Sequence, residues 1–190
     1  MELPYLESKT FNKVNFAEST FVASEYEQCK FMHCNFENVN LSESVFVDCE
    51  FIHCNLSTAK VIKTALRTCI FKHCKMLGIH FEHCHTFLFA VTFEDCLLNL
   101  CSFYKLNLKK TSFTQCGMNE VDFSEASLTE ALFSACDLNG ATFDQTHLEK
   151  ADLRTSFNYI IDPDKNYIKK AKFSREGVVG LLGKYDIEIE

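Results

Sequence analysis

From Phe11 onward, every fifth residue of this chain is apolar. The series runs Phe11, Phe16, Phe21, Tyr26, Phe31, Phe36, Leu41, Phe46, Phe51, Leu56, Val61, Leu66, Phe71, Met76 and Phe81. It then slips by two residues and resumes at Leu88, Phe93, Leu98, Phe103, Leu108, Phe113, Met118, Phe123, Leu128, Phe133, Leu138, Phe143, Leu148 and Leu153. These 29 centres contain no polar interruption. A small or modest side chain stands two residues before most centres, and ten of the eleven cysteines fall in this slot, with Cys84 continuing it into the slip. A period of five fits neither the 3.6 of a helix nor the 2.0 of a flat strand. With two inward residues in every five, the chain must turn a corner after each short extended piece, so that the pieces become the sides of a closed coil.

An echo at twenty residues, CKFMHC from Cys29, CEFIHC from Cys49 and CIFKHC from Cys69, sets the number of sides at four. The same count stacks Phe11, Phe31, Phe51 and Phe71 in one column and Phe93, Phe113 and Phe133 beside Phe103, Phe123 and Phe143. Cys29, Cys49 and Cys69 form one interior ladder, Cys34, Cys54 and Cys74 another, and Cys96, Cys116 and Cys136 a further one. Adjacent coils are expected to pair like strands, about 4.7–4.9 Å apart.

The segments ASLTE, CDLNG, ATFDQ and ADLRT, beginning at Ala126, Cys136, Ala141 and Ala151, state the repeat most plainly: a small residue, a polar one, Leu or Phe, then two more polar ones. This pattern resembles that of pentapeptide-repeat proteins, over roughly residues 9 to 155. The resemblance implies an all-β fold, a right-handed quadrilateral β-helix with four repeats per coil. The domain reading is a β-helix over 1–155, with the frame slip at 82–87, and a C-terminal segment over 156–190.

The hexads with two cysteines and a histidine raise the question of zinc, which favours clustered thiolate and imidazole ligands. Four residues separate Cys29 from Cys34, at the edge of the usual spacing, and the repeat places Cys34, Cys54 and Cys74 inward while His33, His53 and His73 point outward at corners. The expectation is therefore core thiols and a solvated histidine column, with no metal and no cofactor. His80, His83, Cys84, His85 and Asp95 cluster near the slip, but a kink plugged by Phe87 and Phe89 is the simpler reading, and no phosphate loop or nucleophile elbow argues for an enzyme. The mild net charge of -7 and the lack of a basic tract argue against direct nucleic-acid binding. No apolar run is long enough to span a membrane, and MELPYLESKTF resembles no signal peptide, so a cytoplasmic protein with reduced thiols is expected.

After Leu153 the pattern breaks at FNYIIDPDKN and re-enters frame with Ile168 and Phe173. Ser174 is placed to cap a short helix, REGVVGLLGK, followed by YDIEIE as a terminal strand. Gly177, Gly180 and Gly183 weaken such a helix, so Val178, Val179, Leu181, Leu182, Tyr185 and Ile187 are expected to supply packing as a cap or as a homodimer contact.

With the interior filled, such a rod acts through shape and charge. The family includes quinolone-resistance members of the Qnr and mycobacterial type, which resemble duplex DNA in size and charge and bind type II topoisomerases; LGIHFEHC, from Leu77, resembles a segment of the former. Residues 88 to 153 carry ten acids against four bases. A duplex of that length, about 17 Å, would carry about ten charges. The candidate acidic surface is Glu120, Asp122, Glu125, Glu130, Asp137, Asp144, Glu149 and Asp152, whereas residues 51 to 87 are basic by +4. Two readings stand: a protein-interaction module with an unidentified partner, or a DNA mimic acting on DNA gyrase or topoisomerase IV, with inhibition or fluoroquinolone protection as its effect.

Overall fold

The structure is a computed structural model that describes residues 3–19, 21–185 and 187–189. Strands of three or four residues, all paired in parallel, build two sheets. The first contains β1 (Tyr5–Glu7), β3 (Glu25–Glu27), β5 (Val45–Val47) and β7 (Ala65–Arg67). The second contains β2 (Thr10–Asn12), β4 (Lys30–Met32), β6 (Glu50–Ile52), β8 (Cys69–Lys72), β9 (Val91–Glu94), β10 (Ser112–Thr114) and β11 (Leu132–Ser134). They form the first and second sides of a four-sided coil. The third side is a row of single parallel bridges from Asn15 through Asn35, Asn55, Lys75, Leu97, Gly117 and Asp137 to Phe157. The fourth joins Asn40 to Lys60, and His80 to Ser102, Asp122 and Thr142. This is the four-sided parallel β-helix that the period of five requires.

Inside, the centres stack by ring. Phe31 lies parallel to Phe51 at 4.8 Å, Phe51 to Phe71 at 4.8 Å, and Phe113 to Phe133 at 5.0 Å between centroids. Rings on neighbouring sides meet edge to face, as Phe103 does Phe113 at 5.9 Å, so these two rings find both favoured geometries at once. Phe93, Phe103, Phe113, Phe123, Phe133 and Phe143 are all buried, as are Cys96, Cys116 and Cys136.

Corners fall two residues after each centre, and there the backbone is left-handed with φ between about 50° and 67°, almost always without glycine: His33, His53, His73, Thr58, Thr68, Lys110, Glu120, Glu125 and Glu130 are examples. Left-handed backbone is costly for L-residues, by roughly 1–2 kcal/mol each, so the corners persist because the stacked interior over-determines them. Most corners outside the sheets close with a turn bond, such as Ala126 N–H to the Phe123 carbonyl at 3.0 Å.

The cysteine slot has a second reason beyond size. Cys49 donates its thiol to the carbonyl of Tyr26 at 3.3 Å, Cys54 to that of Phe31 at 3.3 Å, Cys74 to that of Phe51 at 3.3 Å, and Cys136 to that of Phe113 at 3.4 Å. Thr146 and Ser156 do the same for Phe123 and Phe133 at 2.9 and 3.0 Å, and Asn166 reaches the Phe143 carbonyl with Nδ2 at 3.0 Å. The slot thus wants a small donor that binds the centre of the preceding coil. Burial pushes the Cys49 thiol up to about 12, which keeps the donor proton in place. The expected separate ladders of Cys34, Cys54, Cys74 and of Cys96, Cys116, Cys136 are one column, since Lys75 pairs with Leu97 across the slip.

The slip itself is a loop on the first side. Phe71 pairs with Phe93 and Lys75 with Leu97, so the second and third sides continue in step at a spacing of 22. A 3-10 turn at Phe81–His83 leads into residues 86–90, where Leu88 has φ 59° and is 61 % exposed and Phe87 is 62 % exposed. The sequence placed Leu88 at a centre and Phe87 in the plug. The interior at this rung takes one large side chain, and Phe89, half-buried and 6.5 Å from Phe81, supplies it; the two preceding residues are left outside.

The C-terminal helix and terminal strand expected from the sequence are also corrected. Residues Gly177–Leu181 and Gly183–Tyr185 are two 3-10 helices, and residues 187–189 form no strand; Asp186 and Glu190 lie outside the described residues. Ser174 does close the start, its Oγ accepting the Gly177 N–H at 2.8 Å. The 3.0-residue period aligns Gly177, Gly180 and Gly183 against Tyr159 and Ile160, where a β-carbon on either of the first two would overlap Tyr159. The glycines that weaken an α-helix here form the packing face. Lys184, paired with Asp162 at 2.9 Å and with Asp164, pins the far end.

Candidate interaction surface

The eight candidate acids do not form one patch, because five residues along the chain mean one side around the coil. Glu120, Glu125 and Glu130 occupy three successive corners of the same coil. The eight separate into two sets of different electrostatic character. Glu125, at the corner between the fourth and first sides, is held by Lys105 at 3.3 Å and receives the Tyr104 hydroxyl at 2.8 Å. Glu130, at the next corner, sits between Lys150 at 3.2 Å and Lys110 at 3.7 Å, and the Lys150 ammonium holds its carboxyl below the usual range. Asp152, on the second side, binds Arg154 at 2.7 Å and Lys172 at 3.6 Å, with Arg154 lowering its carboxyl. Glu149, on the first side, faces His147 at 3.3 Å. Glu125, Glu130 and Asp152 are each met by a lysine or arginine and Glu149 by an imidazole, and as exposed pairs they contribute little to stability.

The other four gather along one edge. Asp137 lies on the third side, Glu120 at the corner, and Asp122 and Asp144 on the fourth side. Among the described residues the Asp122 carboxylate accepts only the Ser124 N–H at 2.8 Å, and that of Asp137 accepts Asn139 N–H at 3.2 Å and Asn158 Nδ2 at 2.8 Å. No lysine or arginine stands on these two sides between Leu97 and Asp144, because Lys105, Lys109 and Lys110 fall at other corners and on the first side. The result is a strip of unpaired carboxylates rather than an acidic girdle.

The first side is different. In its loop the backbone N–H of Ala90 bonds the Leu66 carbonyl at 3.0 Å, and Phe89 and Ala90 share a cavity of about 270 Å³ with Lys109 and Lys110. At the C-terminal end, Leu181 packs on the core, while Val178, Leu182, Tyr185 and Ile187 are exposed and Val179, also exposed, borders the cavity beneath the tail; Tyr185 is 57 % exposed. The tail therefore presents glycine inward and large apolar residues outward. Between it and the last coil lies an open cavity of about 620 Å³ lined by Asn139, Arg154, Tyr159, Ile160 and Gly180 among others.

The histidines stack along their corner, His33 on His53 at 4.9 Å and His53 on His73 at 4.6 Å, and His73 Nδ1 meets Asp95 at 2.7 Å. The adjoining cysteines are buried on the other side of the wall. Among the described residues no three His, Cys, Asp or Glu side chains converge as metal ligands. No helix among those residues is long and apolar enough to cross a membrane. Sequence reasoning missed Tyr159 and the glycine line; the spacing of three in Gly177, Gly180 and Gly183 was the available signal.

Among solved structures, the chain is similar to a trypsin-treated QnrB1, described as a plasmid-mediated fluoroquinolone resistance protein, with 20 % identity, TM-score 0.47, and coverage of 100 % of this chain and 99 % of that one. It is also similar to HetL, a pentapeptide repeat protein involved in heterocyst differentiation regulation from the cyanobacterium Nostoc sp. strain PCC 7120, with 12 % identity, TM-score 0.44, and coverage of 92 % and 88 %. No curated protein matches. The family models described as pentapeptide repeats (8 copies) and pentapeptide repeat region match residues 29–67 and 86–157. With these two segments together making up more than half of its length, and with the repeat visible in every column of the coil, the chain belongs to the pentapeptide-repeat family.

Proposed function

We propose that this protein is a non-enzymatic, rod-shaped protein-interaction module of the cytoplasm that works as a homodimer joined through its C-terminal segments. One observation carries the reading: the tail turns its glycines toward the rod and leaves Val178, Leu182 and Tyr185 exposed to solvent, the reverse of what a simple cap needs. Large apolar residues held outward by a well-packed inner face are suited to a partner surface. The interior is closed to substrates, since stacked rings and thiols fill it. Eleven free, buried thiols fit a reducing compartment. Sedimentation velocity tests the dimer: Leu182→Glu combined with Tyr185→Glu should sediment as a monomer where the parent chain is a dimer. A parent chain that is already monomeric would remove the dimer.

A second reading is favoured by the strip of Glu120, Asp122, Asp137 and Asp144. Unpaired carboxylates on successive coils imitate a phosphate row, and the binder imagined is DNA gyrase or topoisomerase IV, which would be inhibited or protected from a fluoroquinolone. The measurement is a gyrase supercoiling assay with the purified chain, with and without the drug. Reversing Glu120, Asp122 and Asp144 to lysine should abolish any effect, whereas reversing the paired Glu125 and Glu130 should change it little. Equal loss in both variants, or no effect of the parent chain at micromolar concentration, would reject the mimic.

A further inference from the structure

Asn139 and Gly140 are the chain's Asn-Gly pair, and they sit at the corner between the third and fourth sides. In this column of corners the backbone N–H is normally held by the next coil. Gly78 donates to the Asn99 carbonyl at 3.0 Å, Leu100 to Asn119 at 2.9 Å, and Glu120 to Asn139 at 2.9 Å. Above Gly140 the column ends, because the chain leaves the coil at Asn158 and the Tyr159 carbonyl lies against Gly180 of the tail. The Gly140 N–H accordingly has no acceptor among the described residues. Gly140 has φ 67° and lacks a side chain to shield its nitrogen. Both residues are exposed, and Asn139 borders the open cavity under the tail, so water reaches the pair.

We propose that Asn139–Gly140 is a site of spontaneous covalent modification by loss of the side-chain amide. The Gly140 nitrogen attacks Cγ of Asn139; the new C–N bond closes a five-membered succinimide, and the amide nitrogen departs as ammonia, carrying the proton from the Gly140 nitrogen. Water then opens the ring at one carbonyl to give Asp or at the other to give isoaspartate. One water is consumed and one ammonia released, with no oxidant or reductant. Either product adds a carboxylate beside Asp137 and Glu120, lengthening the unpaired acidic strip. Isoaspartate also inserts a methylene into the backbone at the corner beneath the tail. Asn99 and Asn119, stacked below, are protected: the nitrogens that would attack belong to Leu100 and Glu120, which carry side chains and are hydrogen-bonded.

The test is peptide mapping by mass spectrometry of the full chain held in mildly alkaline buffer, resolving Asn, Asp and isoaspartate at positions 99, 119 and 139. Asn139 should convert at least about tenfold faster than Asn119, yielding both acids, because only its neighbouring nitrogen is unblocked and unpaired. Gly140→Ala should slow it by about the same factor, and Asn139→Gln, which preserves the corner glycine, should stop it. Circular dichroism checks that both variants fold. Conversion at Asn139 no faster than at Asn119 would overturn the site, and Asp without isoaspartate would overturn the cyclic route. This test does not depend on the partner or on the dimer.

Discussion

Phe123 shows how much one position carries. Its ring lies between Phe103 and Phe143, each at 5.4 Å, and is fully buried. Phe123→Asp would leave a charge among stacked rings with no partner, and the expected outcome is a chain that does not fold, read as loss of the β-type circular dichroism signal. The corners make the opposite prediction. Thr68 is exposed, β-branched and held at φ 55°, a conformation that asparagine tolerates better. Thr68→Asn should raise stability by about 0.5–1 kcal/mol, measured as a higher denaturant midpoint with unchanged slope. At this scale the sequence was informative about which residues face inward, since the centre of each repeat tolerates no polar side chain. It was silent about the donor role of the slot: cysteine, serine and threonine read as merely small until the carbonyls of Tyr26, Phe31 and Phe51 are seen beneath them.

Among elements, the loop at residues 86–90 and the tail are where the pattern misled, and for related reasons. A period states how many residues each rung holds, but a break in it does not say which residue is expelled. Leu88 and Phe89 are equally apolar, and only the left-handed corner at Leu88 turns it outward. For the tail, helix propensity treats glycine as a defect, while contact with Tyr159 makes it a requirement. Gly180→Ala should therefore displace the tail from the last coil, with faster amide exchange over residues 177–185 and an unchanged melting transition of the rod. Replacing Phe87 and Leu88 by serine should leave stability within about 0.5 kcal/mol, as both are already solvent-exposed.

For the whole molecule, charge is arranged around the axis as well as along it. Counting along the chain identified an acidic C-terminal half and basic residues before it, and both are present. What the count could not supply is the angular position of each group, and that decides which acids are free. Lys105 reaches Glu125, and Lys110 and Lys150 reach Glu130, because a spacing of twenty stacks them, whereas no cation stacks on Glu120. The paired acids should respond to salt and the strip should dominate any electrostatic partner, so an interaction through the strip should weaken as ionic strength rises.

The loop after Cys84 has an implication for how such a chain can change over generations. Two extra residues are absorbed in a loop on one side, while the second and third sides keep pairing in step, Phe71 with Phe93 and Lys75 with Leu97. A side of the coil is thus an address where length can be added without re-registering the remainder, much as a spiral stair accepts a landing. New binding loops can arise on this scaffold by insertion alone, leaving the stacked core unaltered while natural selection samples the outside.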